Sequence, residues 1–443
     1  MRLTTLLIFI ALLSVSCGPG RDSSGNFEVF RVNGKFAVRD AVSGRRVGLF
    51  ARADLAFQKA IELLDPKGGM VNVLSGEYPL ESPVHLKDGI KLQGSGPATV
   101  LQISPSNETG TAIVLDGTDA AEVSALKIIT LNGTGPGVGI LLNHCGSCTI
   151  SDILCAGDMV HGIALRRNSF LCEIRDCKVM GARGSGIMLD SLDRGGRGGD
   201  WVPNLVSNCI INSCGEGIEC HRSIVANIVA CEVYQSSGPA YHIRNTSNSI
   251  LISGCRSYQI RSDAVVVENS HEINITGNTF CWHEKRGIVL DHVRWGTITG
   301  NNLIDNGSIN IWPAGDVPPD DSGRRPFAIE KPDTLNPPNV PGMVLINSTK
   351  GLTVLSNSIF NWPVCPPMDW GIIEDETCSY NIITNNNVNF CLHGAVSSSG
   401  KNSIANNNLV YEEKSHQGDP GNALQSFDLS LMREHINKIT ATD

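Results

Sequence analysis

Through most of the chain a glycine or small residue is followed by alternating apolar and polar positions, and the phrase returns about every 23 residues. It reads Gly139-Ile140-Leu141-Leu142-Asn143, Gly162-Ile163-Ala164-Leu165-Arg166 and Gly186-Ile187-Met188-Leu189-Asp190. It continues as Gly217-Ile218-Glu219-Cys220-His221, Ala240-Tyr241-His242-Ile243-Arg244, Ala264-Val265-Val266-Val267-Glu268 and Gly287-Ile288-Val289-Leu290-Asp291. Earlier copies start at Gly89 and Ala112, and later ones at Ser308, Gly342, Gly371 and Gly394. Strand side chains alternate faces, so the first and third residues after the glycine form an interior and the second and fourth an exterior. The first set is almost wholly apolar and the second carries Asn, Arg, Asp, Glu and His. A period of this length, built from strand-sized pieces with no helical spacing, predicts a stacked β-solenoid. About thirteen coils at ~4.8 Å per stacked strand make a rod roughly 60 Å long.

A second column supports this count. Cys177, Cys209, Cys231, Cys255, Asn278, Asn301, Asn357, Asn386 and Asn407 each precede a short apolar strand. Stacked asparagines at an inward turn pass hydrogen bonds from coil to coil and satisfy backbone groups that water cannot reach. Cysteine tolerates burial and is expected to replace asparagine where that bonding is dispensable. The predicted fold is therefore all-β: a single-stranded parallel β-helix.

The ends read differently. Arg2 followed by the apolar run Leu6 to Leu13 and then small residues predicts an export signal over residues 1–16. Ser14-Val15-Ser16-Cys17 is similar to a bacterial lipoprotein box, with Cys17 as the lipidated first residue, although Ser14 stands where that pattern usually has Leu. Residues 17–50 are expected to hold a linker and small strands. Leu55, Ala56, Ala60, Ile61 and Leu64 fall at helical spacing, predicting a helix over 52–64 that covers the open end of the core. The solenoid then occupies 51–410, broken by a glycine-rich insertion at 193–201 and a proline-rich one at 313–341. The tail 411–443 contains an amphipathic stretch from Phe427 to Ile439 that would cap the other end.

Composition narrows the partners. The 443 residues are 41% hydrophobic and carry a formal net charge of −9. No basic stripe with interleaved aromatics appears, so nucleic acid is not an expected partner. A polyanionic substrate would need placed Arg, Lys or His, or a bridging cation. Beyond the signal no stretch is long and apolar enough to span a membrane, leaving the N-terminal lipid as the one expected membrane contact. The location expected is the bacterial cell envelope, or the medium if Cys17 is not lipidated. The pattern fixes no oligomeric state. Of the 15 cysteines, four stand in the ladder and Cys220 in the interior column. Cys145-Gly146-Ser147-Cys148 has the gap of a zinc knuckle, but no second such pair follows, so no metal ligands are assigned. Cys172 with Cys177, or Cys209 with Cys214, are candidates for oxidation.

The segment Gly69 to Leu80 (GMVNVLSGEYPL), followed by Ile90-Lys91-Leu92-Gln93-Gly94-Ser95-Gly96, resembles the opening of pectate-lyase-like proteins. There a capping helix runs into a strand, a G-x-Y turn and an L-x-G-x-G turn. With the coils and ladder the resemblance spans about residues 50–410. It implies a right-handed parallel β-helix and an exported enzyme that cuts or epimerises polysaccharides. It does not fix the reaction. The N-T-D, D-D, G-H-G and R-I-K motifs of polygalacturonases do not occur in order, Ser262-Asp263 being the nearest echo. The D-P-H motif of mannuronan epimerases is absent.

The candidate site therefore comes from the outward columns, which are bland at both ends and charged in the middle. The fourth position runs Arg166, Asp190, His221, Arg244, Glu268, Asp291 and Trp312, and the second adds Glu219 and His242. Column neighbours lie about 5 Å apart, and residues two along a strand about 7 Å. Glu268 and Asp291 would then sit near the ~5–5.5 Å carboxyl separation of retaining glycosidases. Glu219 would lie beside His242, and His221 beside Arg244. Arg166 and Arg244 suit a sugar carboxylate or sulfate and Trp312 a sugar ring, and Asp190 is counted with Arg166 and Trp312 as substrate-binding. Solvated sheet faces favour Lys, Thr and Ser over stacked His, Glu and Arg, and adjacent like charges cost energy, so the cluster points to function. His283-Glu284-Lys285-Arg286 reads first as a charged loop and second as a source of a base. Glu374-Asp375-Glu376 reads first as a solvated terminal coil and second as a calcium site.

Three functions follow. A glycoside hydrolase would use Glu268 and Asp291, or Glu219, as its carboxyl pair. A polysaccharide lyase would use His221 or His242 as base, with Arg244 or calcium stabilising the enolate. A non-catalytic glycan-binding or structural envelope protein would need neither. The carboxylates place the hydrolase slightly ahead, with no cofactor required and calcium entering only for the lyase.

Overall fold

The computed structural model describes residues 25–133, 137–190, 202–307, 340–361 and 368–411. Within them the chain winds as a single-stranded parallel β-helix. One face is a twelve-stranded sheet whose rungs run in chain order from Val84–His85 to Cys391–Ser398. Each rung pairs in parallel with the next at the period read from the sequence, as in Ile140↔Ile163, Ile163↔Ile187, Ile187↔Ile218 and Ile218↔Tyr241. The remaining strands cover the other sides of the coils. One coil cannot bury its inner side chains alone; stacking joins them into one continuous core. Ile140, Ile163, Ile187, Ile218, Tyr241, Val265 and Ile288 are all fully buried, as the alternation requires.

Two copies of the repeat depart from the expectation. Ile90–Gln93 belongs to a neighbouring face, where it pairs with Gly69–Val73 and with Glu122–Thr130. Val84–His85 supplies the first rung instead, pairing with Ile113–Asp116. The copy read at 308–312 lies outside the described residues, and Ile288–Asp291 pairs directly with Met343–Ile346. The insertion at 193–201, most of that at 313–341, the signal with Cys17 and the stretch 427–439 also lie outside them.

The N-terminal end is closed as predicted. Gly25–Val32, Lys35–Asp40 and Arg46–Phe50 form an antiparallel meander, and the first of them is also a parallel rung against Gly69–Val73. The helix Ala53–Glu62 lays Ala56, Phe57, Ala60 and Ile61 on the core. Leu55, expected on that face, is 48% exposed, because the buried stripe is centred on Phe57 and Ile61.

The ladder is continuous. Each asparagine amide reaches the next side-chain oxygen at 2.9 Å, from Asn278 to Asn301, Asn357, Asn386 and finally Asn408. The last member is Asn408, not Asn407: Asn407 takes the left-handed backbone (φ 51°) that precedes each ladder residue, as Asn385 does (φ 55°). Three consecutive asparagines hide that register in the sequence. The cysteine half is not inert filler. Cys255 N donates to Asn278 Oδ1 at 2.8 Å, and the Cys177 and Cys209 thiols donate to turn carbonyls at 3.2 and 3.3 Å. All the described cysteines are free thiols, including Cys172, Cys177, Cys209 and Cys214. Cys145 and Cys148 point into the core and donate to the Leu115 and Thr118 carbonyls.

Candidate active site

The twelve-stranded sheet carries the charged cluster on its outer face between two apolar patches. Val138, Ala164, Met188 and Leu141 lie on the N-terminal side, and Val266, Val289 and Val344 on the C-terminal side. The parallel register places Glu219 beside His242, His221 beside Arg244, Glu268 beside Asp291 and Arg166 beside Asp190. These adjacencies are the ones the period dictates. The side chains, however, choose diagonal partners.

Glu219 is 3% exposed and holds two groups at once. Arg244 donates to its Oε1 through Nε (2.9 Å) and Nη2, and the Ser185 hydroxyl donates to Oε2. Burial alone would raise this carboxyl; the bonds from Ser185 and Arg244 outweigh it and hold Glu219 below its ordinary value. An anchored anion is a poor proton donor, so Glu219 does not suit the hydrolase role expected for it. It orients Arg244, whose own pKa it raises against the opposing effect of burial.

His242 is 8% exposed. Its Nδ1 meets Glu216 Oε2 at 3.2 Å, and because a carboxylate accepts, Nδ1 is the donor in that contact. Nε2 has no hydrogen-bond partner, and Glu268 Oε2 stands 3.7 Å from it. Glu216, Ser185 and His161 were missed by the sequence reading. They form a third outward column immediately before the repeat's glycine; that glycine itself faces the core side chains Val179, Ile211 and Val233, which breaks the alternation, so extending the pattern backward would have placed the column inside. His161 Nδ1 accepts the Ser185 amide at 3.1 Å. Burial and then the Arg166 charge lower the pKa of His161, keeping the ring neutral.

The other candidates disperse. Asp190 is gripped by Arg222 through Nε at 3.1 Å and Nη2 at 2.7 Å, with His221 Nδ1 3.7 Å away. His221 thus faces an occupied carboxylate. Asp291 turns to the adjacent His292. The strain expected between Glu268 and Asp291 is relieved because each carboxylate faces a different histidine. Arg166 rests on Met188, with Nη2 4.0 Å from its sulfur, and its Nε is buried without a hydrogen-bond partner. Trp312 lies outside the described residues.

Both outlying motifs are corrected at their first residue, while Glu284, Lys285 and Glu376 are exposed as expected. His283 is not in a solvated loop and is no base: it is fully buried, bonded to Ser257 Oγ at 3.0 Å and to the Ile260 amide at 3.3 Å. Burial drives its pKa down to about 3. Arg286 is held by Asp263 at 2.8 Å. Glu374 is 1% exposed and accepts from Asn381 at 2.7 Å and Ser403 at 2.6 Å, so it closes the C-terminal core rather than facing solvent or calcium. Among the described residues no three His, Cys, Asp or Glu converge as metal ligands.

A family model described as a right handed beta helix region matches residues 161–318. No curated protein matches the chain. The solved A-module of the Azotobacter vinelandii mannuronan C-5 epimerase AlgE6 is similar at 15% identity and a TM-score of 0.65, covering 81% of this chain and 95% of that one. A mannuronic acid specific polysaccharide family 6 lyase from human gut microbiota is similar at 11% identity and a TM-score of 0.56, covering 88% and 92%. The catalytic unit of an α-1,3-glucanase from Streptomyces thermodiastaticus reaches 11% and 0.54, covering 84% and 68%. At these identities the likeness is one of fold, a right-handed parallel β-helix.

Proposed function

We propose that this right-handed β-helix acts on a uronate-containing polysaccharide, and that its charged sheet face removes the proton next to the sugar carboxylate, giving β-elimination. The observation that carries the reading is the Glu216–His242 dyad, a buried imidazole with Nδ1 held by a carboxylate and Nε2 without a hydrogen bond, 3.7 Å from the half-exposed Glu268. Arg244 sits two residues along the same strand. Two proteins that share the fold are a mannuronan C-5 epimerase and a mannuronic acid specific lyase, which fits a substrate of this class.

His242 Nε2 takes the proton from the carbon bonded to the carboxylate. The electrons of that C–H bond enter the carboxylate as an enolate. Arg244, anchored on Glu219 through Nε and Nη2, stabilises the added charge. The imidazolium so formed lies between Glu216 and Glu268. The enolate electrons then form a carbon–carbon double bond as the bond to the leaving glycosidic oxygen breaks, and Nε2–H returns its proton to that oxygen. The products are an unsaturated uronate and a new reducing end. Export through residues 1–16, with Cys17 as a lipid anchor, is the setting we propose.

The sequence put a hydrolase slightly ahead; the reading proposed here reverses that order, supported by Glu219 being tied down and Asp291 turned to His292. Hydrolysis remains the second reading because Glu268 and Asp291 are in register and Glu268 is 43% exposed. The test incubates signal-free protein with acidic and neutral polysaccharides, with and without calcium, following reducing ends and ultraviolet absorbance together. Both signals, lost in His242→Ala, are expected. Reducing ends without absorbance would make it a hydrolase. Silence across the panel would leave a glycan-binding or structural protein.

A further inference from the structure

The coil has a kink just past the charged sheet, where one residue per rung takes the left-handed backbone. Ser249, Glu272, Trp295, Gly351 and Tyr380 occupy it on successive rungs, with φ between 54° and 69°. Their flanking residues fix the stacking: Asn248↔His271, His271↔Arg294, Arg294↔Lys350 and Lys350↔Ser379. A left-handed residue interrupts strand alternation, so two consecutive side chains face outward instead of one. The conformation is an outlier for a bulky aromatic and calls for a reason.

Trp295 is 56% exposed and Tyr380 is 62% exposed, two of the most exposed large apolar side chains of the described chain. Gly351 separates them, so they stand roughly 10 Å apart along the axis, the scale of a disaccharide. The glycine matters: a Cβ there would lie 2.9 Å from Trp295 Cδ1. His271 meets the indole edge to face at 6.4 Å between centroids and steadies it. Trp295 also walls an open depression of about 500 Å³ with Glu272 and Asn274. The outward position one residue before the kink carries Arg294, Lys350 and Lys401, a row of cations spanning roughly 14 Å beside the aromatics. None of the three forms an ion pair among the described residues.

We propose that Trp295 and Tyr380, with the cation row Arg294, Lys350 and Lys401, form a second saccharide site that holds an acidic polysaccharide along the axis of the solenoid. It lies around the corner from the charged sheet and shares no residue with it. The aromatics supply stacking platforms for sugar rings, and the cations meet carboxylates or sulfates. The site does not depend on the activity proposed above.

The test uses the signal-free chain in a His242→Ala background, so that no polymer is cut, in native gels containing alginate, polygalacturonate or dextran. Retardation by an acidic polymer and not by dextran is expected, weakening as salt rises. Trp295→Ala with Tyr380→Ala should weaken it about tenfold. Both side chains are exposed, so their loss leaves the core intact. Lys350→Gln with Lys401→Gln should flatten the salt dependence. Retention within twofold in both double variants overturns the proposal, as does no retardation by either acidic polymer. Binding to anionic phospholipid vesicles but to neither acidic polymer would make the strip a membrane contact and also overturn it. Turnover absent from the protein with His242 in place, with retardation intact, would sink the enzyme reading alone.

Discussion

His283 is fully buried on the inner side of its coil, with Ser257 Oγ at one ring nitrogen and the Ile260 amide at the other. Because Nδ1 accepts from the amide, the ring is neutral, and protonation would remove that acceptor inside an apolar core. Burial puts its folded pKa at about 3, against about 6.5 in an unfolded chain. A folded pKa below the unfolded one means that the unfolded state binds more protons. The contribution is therefore fully present above about pH 6.5 and is lost as pH falls toward 3. The linkage gives about 3 kcal/mol lost at pH 4 and about 5 kcal/mol once both states are protonated. Carboxylates such as Glu219 titrate in the same direction, so the measurement must be a difference. Urea unfolding of wild type and His283→Asn at pH 7 and pH 4, followed by circular dichroism, isolates it. The substituted amide keeps an oxygen acceptor near the Ile260 N–H and cannot take a proton. Wild type should lose about 3 kcal/mol more than the variant over that interval. Equal losses, within about 1 kcal/mol, would refute the buried neutral imidazole.

Two further predictions concern the ladder and the anchor of Arg244. Asn301→Ala removes amide bonds to Asn357 and the Ile275 carbonyl and the acceptor of the Asn278 amide, all buried. It should cost about 3–5 kcal/mol in chemical unfolding, whereas Asn407→Gly, off the ladder and in a left-handed backbone that glycine adopts freely, should be close to neutral. Glu219→Gln leaves Arg244 beside a neutral partner. Since Arg244 is 35% exposed and can turn to water, the stability cost at pH 7 should be only about 1–2 kcal/mol. Turnover should fall at least tenfold with little change in KM, because Arg244 loses its position. The carboxyl of Glu219 is held low, so its contribution is present above about pH 4.3 and fades as pH falls through the folded value; the variant should lack that fading.

The sequence alone determined the coil, its period, the inner column, the ladder as far as Asn386 and the face on which charge collects. Each of these is the same local environment repeated on every rung, and a repeated environment leaves a periodic trace in residue type. Only the tertiary structure decided which of those charges act together. Glu219 and His242 are register neighbours, yet Glu219 binds Arg244 and Ser185, and His242 binds Glu216. Those choices depend on rotamers and burial set by side chains 25, 34 and 26 residues away. His283, in a run of charged residues, gave no sign of turning inward, because its partners Ser257 and Ile260 belong to the previous coil. The kink that turns Trp295 and Tyr380 outward is likewise a backbone conformation with no side-chain signature, filled in turn by Ser, Glu, Trp, Gly and Tyr. A column's position can be read from sequence when every rung needs the same chemistry there. Where rungs differ, the contacts between them carry the information, and these exist only once the coils are stacked.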